Sequence, residues 1–409
     1  MVKPGYKQTE IGVVPKEWSV MTLRDIADFL GGGTPSKSIA EYWNGDIPWI
    51  SSSDISLNSV HGLNITRYIT GQAVKESSTQ LCPRNAILIV TRVGVGKIAI
   101  APTNICTSQD FTNIVLRQDN VEYVARALQP VFYCMSNETQ GTSIKGVTTD
   151  EVKNTSIALP PIKEQEQIAT VLSEIDELIS LTEKQISKKK AIKQGAMQEL
   201  LTGKRRLPGF SETWEEKPIS FFGNFISGNC FPIEYQGCPR GELPFYKVSD
   251  FNNAGNSRVM GKANNYISHN IASVLSCKII PKNSVVFAKI GAAISLERKR
   301  ITGFDCCIDN NMMSFLPYQK NIAAYMCYLF QTIRFGEFVE ATALPSLSGK
   351  TIGEIQRTFP PTVEEQIAIA TVLSDLDSEI EALEQKLTKY RQVKQGMMQQ
   401  LLTGKIRLM

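Results

Sequence analysis

The chain has 409 residues, 44 Lys+Arg against 40 Asp+Glu and a formal net charge of +4, with 42% hydrophobic and 21% charged residues. That length points to two or three cores rather than one, and the composition excludes a disordered or fibrous chain. No apolar run reaches the roughly 18 residues of a membrane helix. The start Met1-Val2-Lys3-Pro4-Gly5-Tyr6 also lacks the apolar stretch of a signal peptide, so a cytoplasmic protein without a membrane partner is expected.

Residues 1–17 read as a loop leading to an anchor at Trp18. Leu23, Ile26, Ala27 and Leu30 recur at helical spacing, and Gly31-Gly32-Gly33-Thr34-Pro35 stops a helix there. Short β runs follow: Ile47-Pro48-Trp49-Ile50, Ala86-Ile87-Leu88-Ile89-Val90, a hairpin turn at Gly94-Val95-Gly96-Lys97, and Ile98-Ala99-Ile100. The run Asn113-Ile114-Val115-Leu116 precedes a helical pattern over 121–136, and 137–159 lead as loop and strand into Pro160-Pro161. The block 1–159 is expected to be one α+β domain.

Pro160-Pro161 opens a helix of about 40 residues, about 60 Å long at 1.5 Å per residue. Within 160–206, Ile168, Leu172, Ile175, Ile179 and Ile186, with Thr182 between them, alternate spacings of four and three, the seam of a coiled coil. Gly203 ends the helix, with Lys204-Arg205-Arg206 near its negative end.

The plan then repeats. Trp214 answers Trp18, and Ile219, Phe222 and Phe225 answer Leu23, Ile26 and Phe29. Glu242 through Asp250 answers Asp46 through Asp54, and Pro281-Lys282-Asn283 answers Pro83-Arg84-Asn85. Lys289-Ile290-Gly291 answers Arg92-Val93-Gly94, Asn310 falls near Gln109, and Met312 falls near Phe111. The phrases Ala-Thr-Val-Leu-Ser (169–173 and 370–374) and Leu-Leu-Thr-Gly-Lys (200–204 and 401–405) recur, with Ile369 standing 201 positions after Ile168. Ile369, Leu373, Leu376, Ile380, Leu383, Leu387 and Tyr390 make the second seam. Thr182 and Lys189 stand where the second copy has Leu383 and Tyr390.

A period this long is a duplicated domain plus helix, not a solenoid unit. The expected architecture is α+β, with a pseudo-two-fold internal repeat. Two similar globular domains (1–159 and 207–359) are separated by two long helices (160–206 and 360–409) packed as an antiparallel coiled coil. The helices match closely while the domains share only framework positions, as two related readers of different targets would.

Chemistry-bearing motifs are missing. His61 and His269 have no cysteine at ligand spacing, which speaks against a zinc site or a histidine triad. Nine cysteines at irregular spacing, including the adjacent Cys306-Cys307, read as reduced and buried. Gly94-Val95-Gly96-Lys97 lacks the remaining residues of a phosphate-binding loop, and no Asn-Pro-Pro-aromatic stretch occurs. No catalytic residue, metal site or enzyme activity is expected.

The ordered, doubled set of features resembles the specificity subunit of type I restriction–modification systems. It comprises the opening 5–18, Pro-Pro-x-x-Glu-Gln at 160–165, its one-residue-longer counterpart at 360–366, the seam helices, the Leu-Leu-Thr-Gly-Lys ends and Leu207-Pro208-Gly209-Phe210 before Trp214. The resemblance covers essentially the whole chain. It implies that each globular block is a target recognition domain reading one half of a bipartite double-stranded DNA sequence. The helices are then conserved regions that set the spacer and dock two methyltransferase subunits. It also implies that S-adenosylmethionine, ATP and Mg belong to partner subunits, restriction subunits being an optional addition, and that this chain holds no cofactor.

Base reading favours Arg, Lys, Asn, Gln, Ser and Thr, and phosphates favour Lys and Arg. The candidates in the first domain are Lys37, Ser52, Ser53, Arg67, Arg92, Lys97, Gln109 and Lys145. In the second they are Lys247, Arg258, Lys262, Lys289, Asn310 and Lys350, with Arg92 and Lys289 foremost as a matched pair. Lys188-Lys189-Lys190 and Lys204-Arg205-Arg206 are candidates for spacer phosphates. At the levels of Thr182 and Lys189 the first helix is expected either to be the looser partner or to face DNA or another subunit. The competing reading is a coiled-coil scaffold joining two protein-binding domains without DNA recognition; salt-dependent DNA binding separates the two.

Overall fold

A computed structural model describes residues 2–57, 59–138, 146–339 and 345–408. The chain forms two compact units, Met1–Glu183 with Gln385–Met409, and Lys184–Glu384. Each unit therefore holds one globular domain, the half of the long helix that follows it, and the far half of the other long helix. The compact units do not follow the linear order of domain and helix.

In the first unit, one sheet runs Ala27–Gly31, Phe111–Leu116, Ile87–Val90, Ile98–Ile100, every neighbour antiparallel. A second runs Arg67–Ile69, Ile47–Ile50, Ile105–Thr107, Leu81–Cys82, with its central pair parallel. Ile87–Val90 is buried along its whole length, which its unbroken apolar run requires of a strand covered on both faces. The helix Val121–Glu138 packs Tyr123, Val124, Leu128 and Phe132 into the same core as Trp18, Ile87 and Ile89.

The second unit repeats this with different dressing. Its larger sheet runs Gly223–Ser227, Met312–Pro317, Val285–Ala288, Lys299–Thr302, Val259–Met260, and its smaller one Tyr266–Ile267, Leu243–Tyr246, Cys307–Ile308. The pairing of Leu243–Tyr246 with Cys307–Ile308 is again parallel. Phe225, Phe287, Phe315, Phe330 and Phe335 form an aromatic cluster with no counterpart among the described residues of the first domain.

One expected helix does not form. Only Leu23–Ile26 is helical; Ala27–Gly31 is a strand paired with Phe111–Leu116. The helical spacing is outweighed by a five-residue antiparallel ladder. The glycines also serve another purpose: a Cβ on Gly32 would lie 1.9 Å from the Ser108 carbonyl oxygen, and one on Gly33 2.4 Å from the Thr79 nitrogen. They permit close backbone approach rather than stopping a helix.

Two closing strand pairs lead into the long helices. Ser19–Thr22 pairs with Ser156–Leu159, and Glu215–Pro218 with Gln356–Phe359. The helices then run Ile162–Leu200 and Val363–Leu401, 39 residues each. Pro160 and Pro360 stand just before them, and their carbonyls accept hydrogen bonds from Gln165 Nε2 (3.0 Å) and Gln366 Nε2 (3.1 Å). The glutamine that ends each Pro-Pro motif, Gln165 and Gln366, thus folds back to close its own helix start.

The adjacent glutamate forms a node with the end of the other helix. Glu164 accepts Arg407 Nε at 2.6 Å, Arg407 Nη2 at 2.8 Å and Trp18 Nε1 at 3.1 Å. Glu365 accepts Arg206 Nε at 2.7 Å, Arg206 Nη2 at 2.9 Å and Trp214 Nε1 at 3.3 Å. Each guanidinium also faces its tryptophan ring, at 6.0 and 5.6 Å. Gly404 and Gly203 turn the chain with φ of +67 and +72, a conformation only glycine adopts freely, and the arginine follows three residues later. The carboxylate holds the Arg407 guanidinium above its ordinary pKa.

Within each unit the two helix halves run antiparallel. Lys394 pairs with Asp176 and Arg391 with Glu183 in the first unit, Lys193 with Asp377 and Lys190 with Glu384 in the second. Among the seam residues, Ile168, Leu172, Ile175, Ile186, Ile369, Leu373, Ile380 and Leu387 are buried, while Ile179, Leu376, Leu383 and Tyr390 are half-buried. Ile168 and Leu172, like Ile369 and Leu373, also join the core of their own domain. Thr182 is buried too, its hydroxyl donating to the Leu178 carbonyl at 2.6 Å, so the first helix tolerates it without an unpaired polar group. Lys189 and Lys190 pair with Glu379 and Glu384, and Arg206 with Glu365, so these cations of the two basic runs are engaged within the helical frame.

Burying a leucine as Leu172 and Leu373 are buried contributes about 2 kcal/mol each. An exposed helix-to-helix ion pair contributes under about 1 kcal/mol. Apolar packing and the two nodes therefore hold the helices, and the exposed pairs tune their register. Arg407→Ala should cost about 3 kcal/mol, because Glu164 loses its partner while its side chain is only 6% exposed. Arg205→Ala, which removes an exposed pair with Glu199, should cost less than about 0.5 kcal/mol. Urea unfolding of the full chain checks this; equal midpoints for the two variants would contradict it.

Candidate nucleic-acid interface

The first domain gathers most of its sequence candidates into one connected polar patch. Lys97 Nζ donates to the Ser52 carbonyl at 2.8 Å, tying the hairpin turn to the turn after Ile47–Ile50. Asp54 caps that second turn, accepting the Ser51 N–H at 2.7 Å, and also holds Arg67. Arg67 donates to Ser51 Oγ at 2.8 Å and lies over Trp49 at 4.7 Å, so its head is already committed. Ser53 Oγ lies 2.9 Å from Ser51 Oγ. Thr91 and Arg92 donate their N–H groups to the Asp110 carbonyl, at 2.8 and 3.3 Å, which places the exposed Arg92 beside Gln109. Gln109 in turn bonds Thr34, whose loop carries the exposed Lys37. Lys145 lies outside the described residues, but Val147 donates to the Thr91 carbonyl at 2.7 Å.

The second domain builds its patch on the same backbone. Asp250 accepts the Lys247 N–H at 2.6 Å, as Asp54 accepts that of Ser51. Lys247 Nζ donates to Gln236 Oε1 at 3.0 Å. Asn256, buried behind the loop, donates to the Lys262 carbonyl at 2.7 Å and leaves the Lys262 side chain exposed. Asn310 is exposed between Asp309 and Asn311. Lys350 is exposed and lies 3.9 Å from Glu354.

Two sequence assignments change. The strand registers place Phe111 opposite Val90, and Met312 opposite Ala288. Lys289 then donates its N–H to the Asn311 carbonyl at 2.8 Å and accepts that of Leu347 at 2.9 Å, the two bonds made by Thr91 with Asp110 and Val147. Lys289 is thus the counterpart of Thr91, and Arg92 matches Ile290. The similarity of Arg-Val-Gly to Lys-Ile-Gly shifts the sequence alignment by one residue. Lys289 is also half-buried, and desolvation lowers its ammonium below the ordinary lysine range. The second change is Arg258, which joins no polar patch; its guanidinium lies on the second long helix, against Ser374, Ser378 and Asp377.

His61 lies 3.1 Å from Glu122, and His269 begins a short helical turn. All nine cysteines are free; five are buried, but Cys134, Cys230 and Cys238 are exposed, contrary to expectation. Burial pushes the Cys82 and Cys307 thiols up to about 12, away from thiolate chemistry. Among the described residues no group of three or more His, Cys, Asp and Glu could hold a metal, and no helix is long and apolar enough to cross a membrane.

Two domains on one plan with differently dressed patches match a family model twice, at residues 15–190 and 211–390, described as type I restriction modification DNA specificity domain. The chain belongs to this DNA specificity family. Each matched block spans a recognition domain and most of its helix. The MjaIX specificity subunit of Methanocaldococcus jannaschii is 28% identical over 378 residues, covering 87% of this chain and 86% of that protein. The EcoR124I/EcoR124II specificity subunit of Escherichia coli is 33% identical over 176 residues, covering 41% and 43%. The crystal structure of the type I restriction–modification S subunit from M. genitalium superposes with a TM-score of 0.61 at 15% identity, covering 94% of this chain and 96% of that one. That likeness shows the shared fold. The two polar patches are the surfaces to test for DNA binding.

The Asp309 carboxyl, beside Asn310, is raised above the ordinary aspartate range chiefly by burial, with Asn311 opposing. An acid with a raised folded pKa binds its proton more tightly when folded, so stability falls as pH climbs from the unfolded value through the raised one. Asp309→Asn should remove that fall, melting above the wild type at neutral pH with the gap closing below pH about 4. Melting curves across that range check it; a gap independent of pH would contradict the assignment.

Proposed function

We propose that this chain is the DNA sequence-specificity subunit of a cytoplasmic type I restriction–modification complex. Each domain reads one half of a bipartite duplex target through its polar patch, and the paired helices set the spacer and dock two methyltransferase subunits. The observation that carries this is the repeated framework with unlike patches: Ser51, Thr91 and Gln109 in one domain stand where Lys247, Lys289 and Asn310 stand in the other. Equivalent scaffolds can present themselves to the two halves of a duplex site in equivalent poses, and unlike side chains then read unlike sequences.

The chain itself performs no bond-making step. Methyl transfer to adenine from S-adenosylmethionine, and any ATP- and Mg-dependent cleavage, fall to partner subunits. The chain's work is to hold cations and amides against phosphates and base edges, a binding whose electrostatic part weakens as salt rises.

Selection of the full-length chain on a randomised duplex library should enrich a two-part motif with one fixed spacer. Failure to enrich any DNA would favour a protein-binding scaffold instead. Arg92→Ala should lose about 1–3 kcal/mol of affinity for the selected duplex and relax one position of the first half-site if Arg92 contacts a base. Equal affinity at matched salt would remove Arg92 from the reading surface. Removing two turns from each long helix should change the selected spacer or abolish selection; an unchanged motif would end the role of helix length as a ruler.

A further inference from the structure

Each long helix carries a serine and an aspartate three residues apart in the same frame, Ser173-Glu174-Ile175-Asp176 in the first and Ser374-Asp375-Leu376-Asp377 in the second. In each unit the serine and aspartate receive an arginine from the globular domain. In the first unit Arg126, fully buried on the helix Val121–Glu138, donates to Asp176 and to Ser173 Oγ at 3.0 Å. In the second unit Arg258 donates to Ser374 Oγ, to the Ser374 carbonyl at 3.3 Å and to Ser378 Oγ at 3.1 Å, with its Nε 3.7 Å from Asp377. The same aspartates are gripped from the other long helix by Lys394 and Lys193, both at 2.7 Å.

The seat is duplicated, yet its arginine is not. Three residues after the buried Tyr123 comes Arg126; three residues after the buried Tyr325 comes Tyr328, whose hydroxyl donates to Asp377 at 2.7 Å but brings no charge. Arg258 in turn has an apolar counterpart. Its carbonyl accepts the Ile301 N–H as that of Val60 accepts the Ile100 N–H, and Val60 is buried in the core. The two copies therefore reach one arrangement, a guanidinium across a serine and an aspartate one helical turn apart, from two unrelated points of the domain. The contact is thus kept in both copies although the residue that makes it is not.

Resting on the function proposed above, we propose that Arg126 and Arg258 are positioning residues that fix the tilt of each recognition domain on the helices. They thereby set how strictly the spacer between half-sites is measured. The guanidinium is planar and bonds in two directions, so it resists rotation of the domain about the contact where a single bond would not. Arg258 then governs spacing without touching a base.

The test uses the full-length chain and the randomised duplex library, with wild type, Arg258→Ala, Arg258→Lys and Ser374→Ala selected in parallel. Melting curves are recorded for each variant. Arg258→Ala and Ser374→Ala should enrich the same two half-sites as the wild type. The share of duplexes whose spacer is one base pair longer or shorter should rise about tenfold, equivalent to about 1.4 kcal/mol of lost discrimination. Arg258→Lys should recover part of it. Ser374→Ala leaves Arg258 and Asp377 in place and keeps the test valid if Arg258→Ala fails to fold. An unchanged single spacer in both alanine variants would overturn the proposal. A changed base preference in the second half-site of Arg258→Ala would overturn it too, by making Arg258 a base reader. A wild-type chain that selects no two-part motif would instead overturn the functional reading beneath it.

Discussion

The constraint on which the rest depends is a carboxylate at the start of one long helix bound by an arginine from the end of the other. Glu164 with Arg407, and Glu365 with Arg206, make two-pronged contacts whose partners lie far apart in sequence. A carboxylate buried this deeply is costly without a partner, so each helix start demands the other helix's end. Trp18 and Trp214 add an N–H to each carboxylate. The closing strands, the Pro-Pro helix starts and the glycine turns at Gly203 and Gly404 all bring those three residues to one point.

Once the nodes are set, much else follows from ordinary packing. The helices need only an apolar seam, and Leu172 and Leu373 serve it while joining their domain cores. The domains can then diverge wherever they do not touch this frame. Their sheets keep the same parallel pair and the same aspartate-capped turn, while the side chains on the turns differ. The divergence spares this frame and reaches both the polar patches and the domain cores, where the second domain has its phenylalanine cluster.

Much of this was legible in the sequence, for physical reasons. A four-three apolar rhythm has few structural meanings, and two copies of it imply a duplicated frame. Prolines before a helix and a glycine after it are equally restrictive. The strands of the first domain were readable because continuous apolar runs bounded by turns must be buried. Residues 23–30 misled, since helical spacing is a weak local preference and a sheet partner outweighed it. Lys289 was misplaced by one position because residue similarity was weighed where only backbone hydrogen bonding defines equivalence. Arg258 was taken for a surface reader because nothing local distinguishes a cation facing solvent from one facing a distant helix. The node was half visible: tryptophan, glutamate and arginine each recur in both copies, but their meeting is a fact of the fold.

The arginine seats carry a consequence for how new variants of such a chain could arise. The acceptors, Ser173 with Asp176 and Ser374 with Asp377, belong to the helices, whereas the donors Arg126 and Arg258 belong to the domains. For its orientation, a domain grafted from another chain meets an acceptor already in place and can bring the guanidinium from whatever loop or helix supplies it. The frame thus works as a standard socket, and the plug is free to be invented more than once. That asymmetry leaves orientation to a contact whose domain side can change, while the apolar seat of Leu172 and Leu373 in the domain cores is kept.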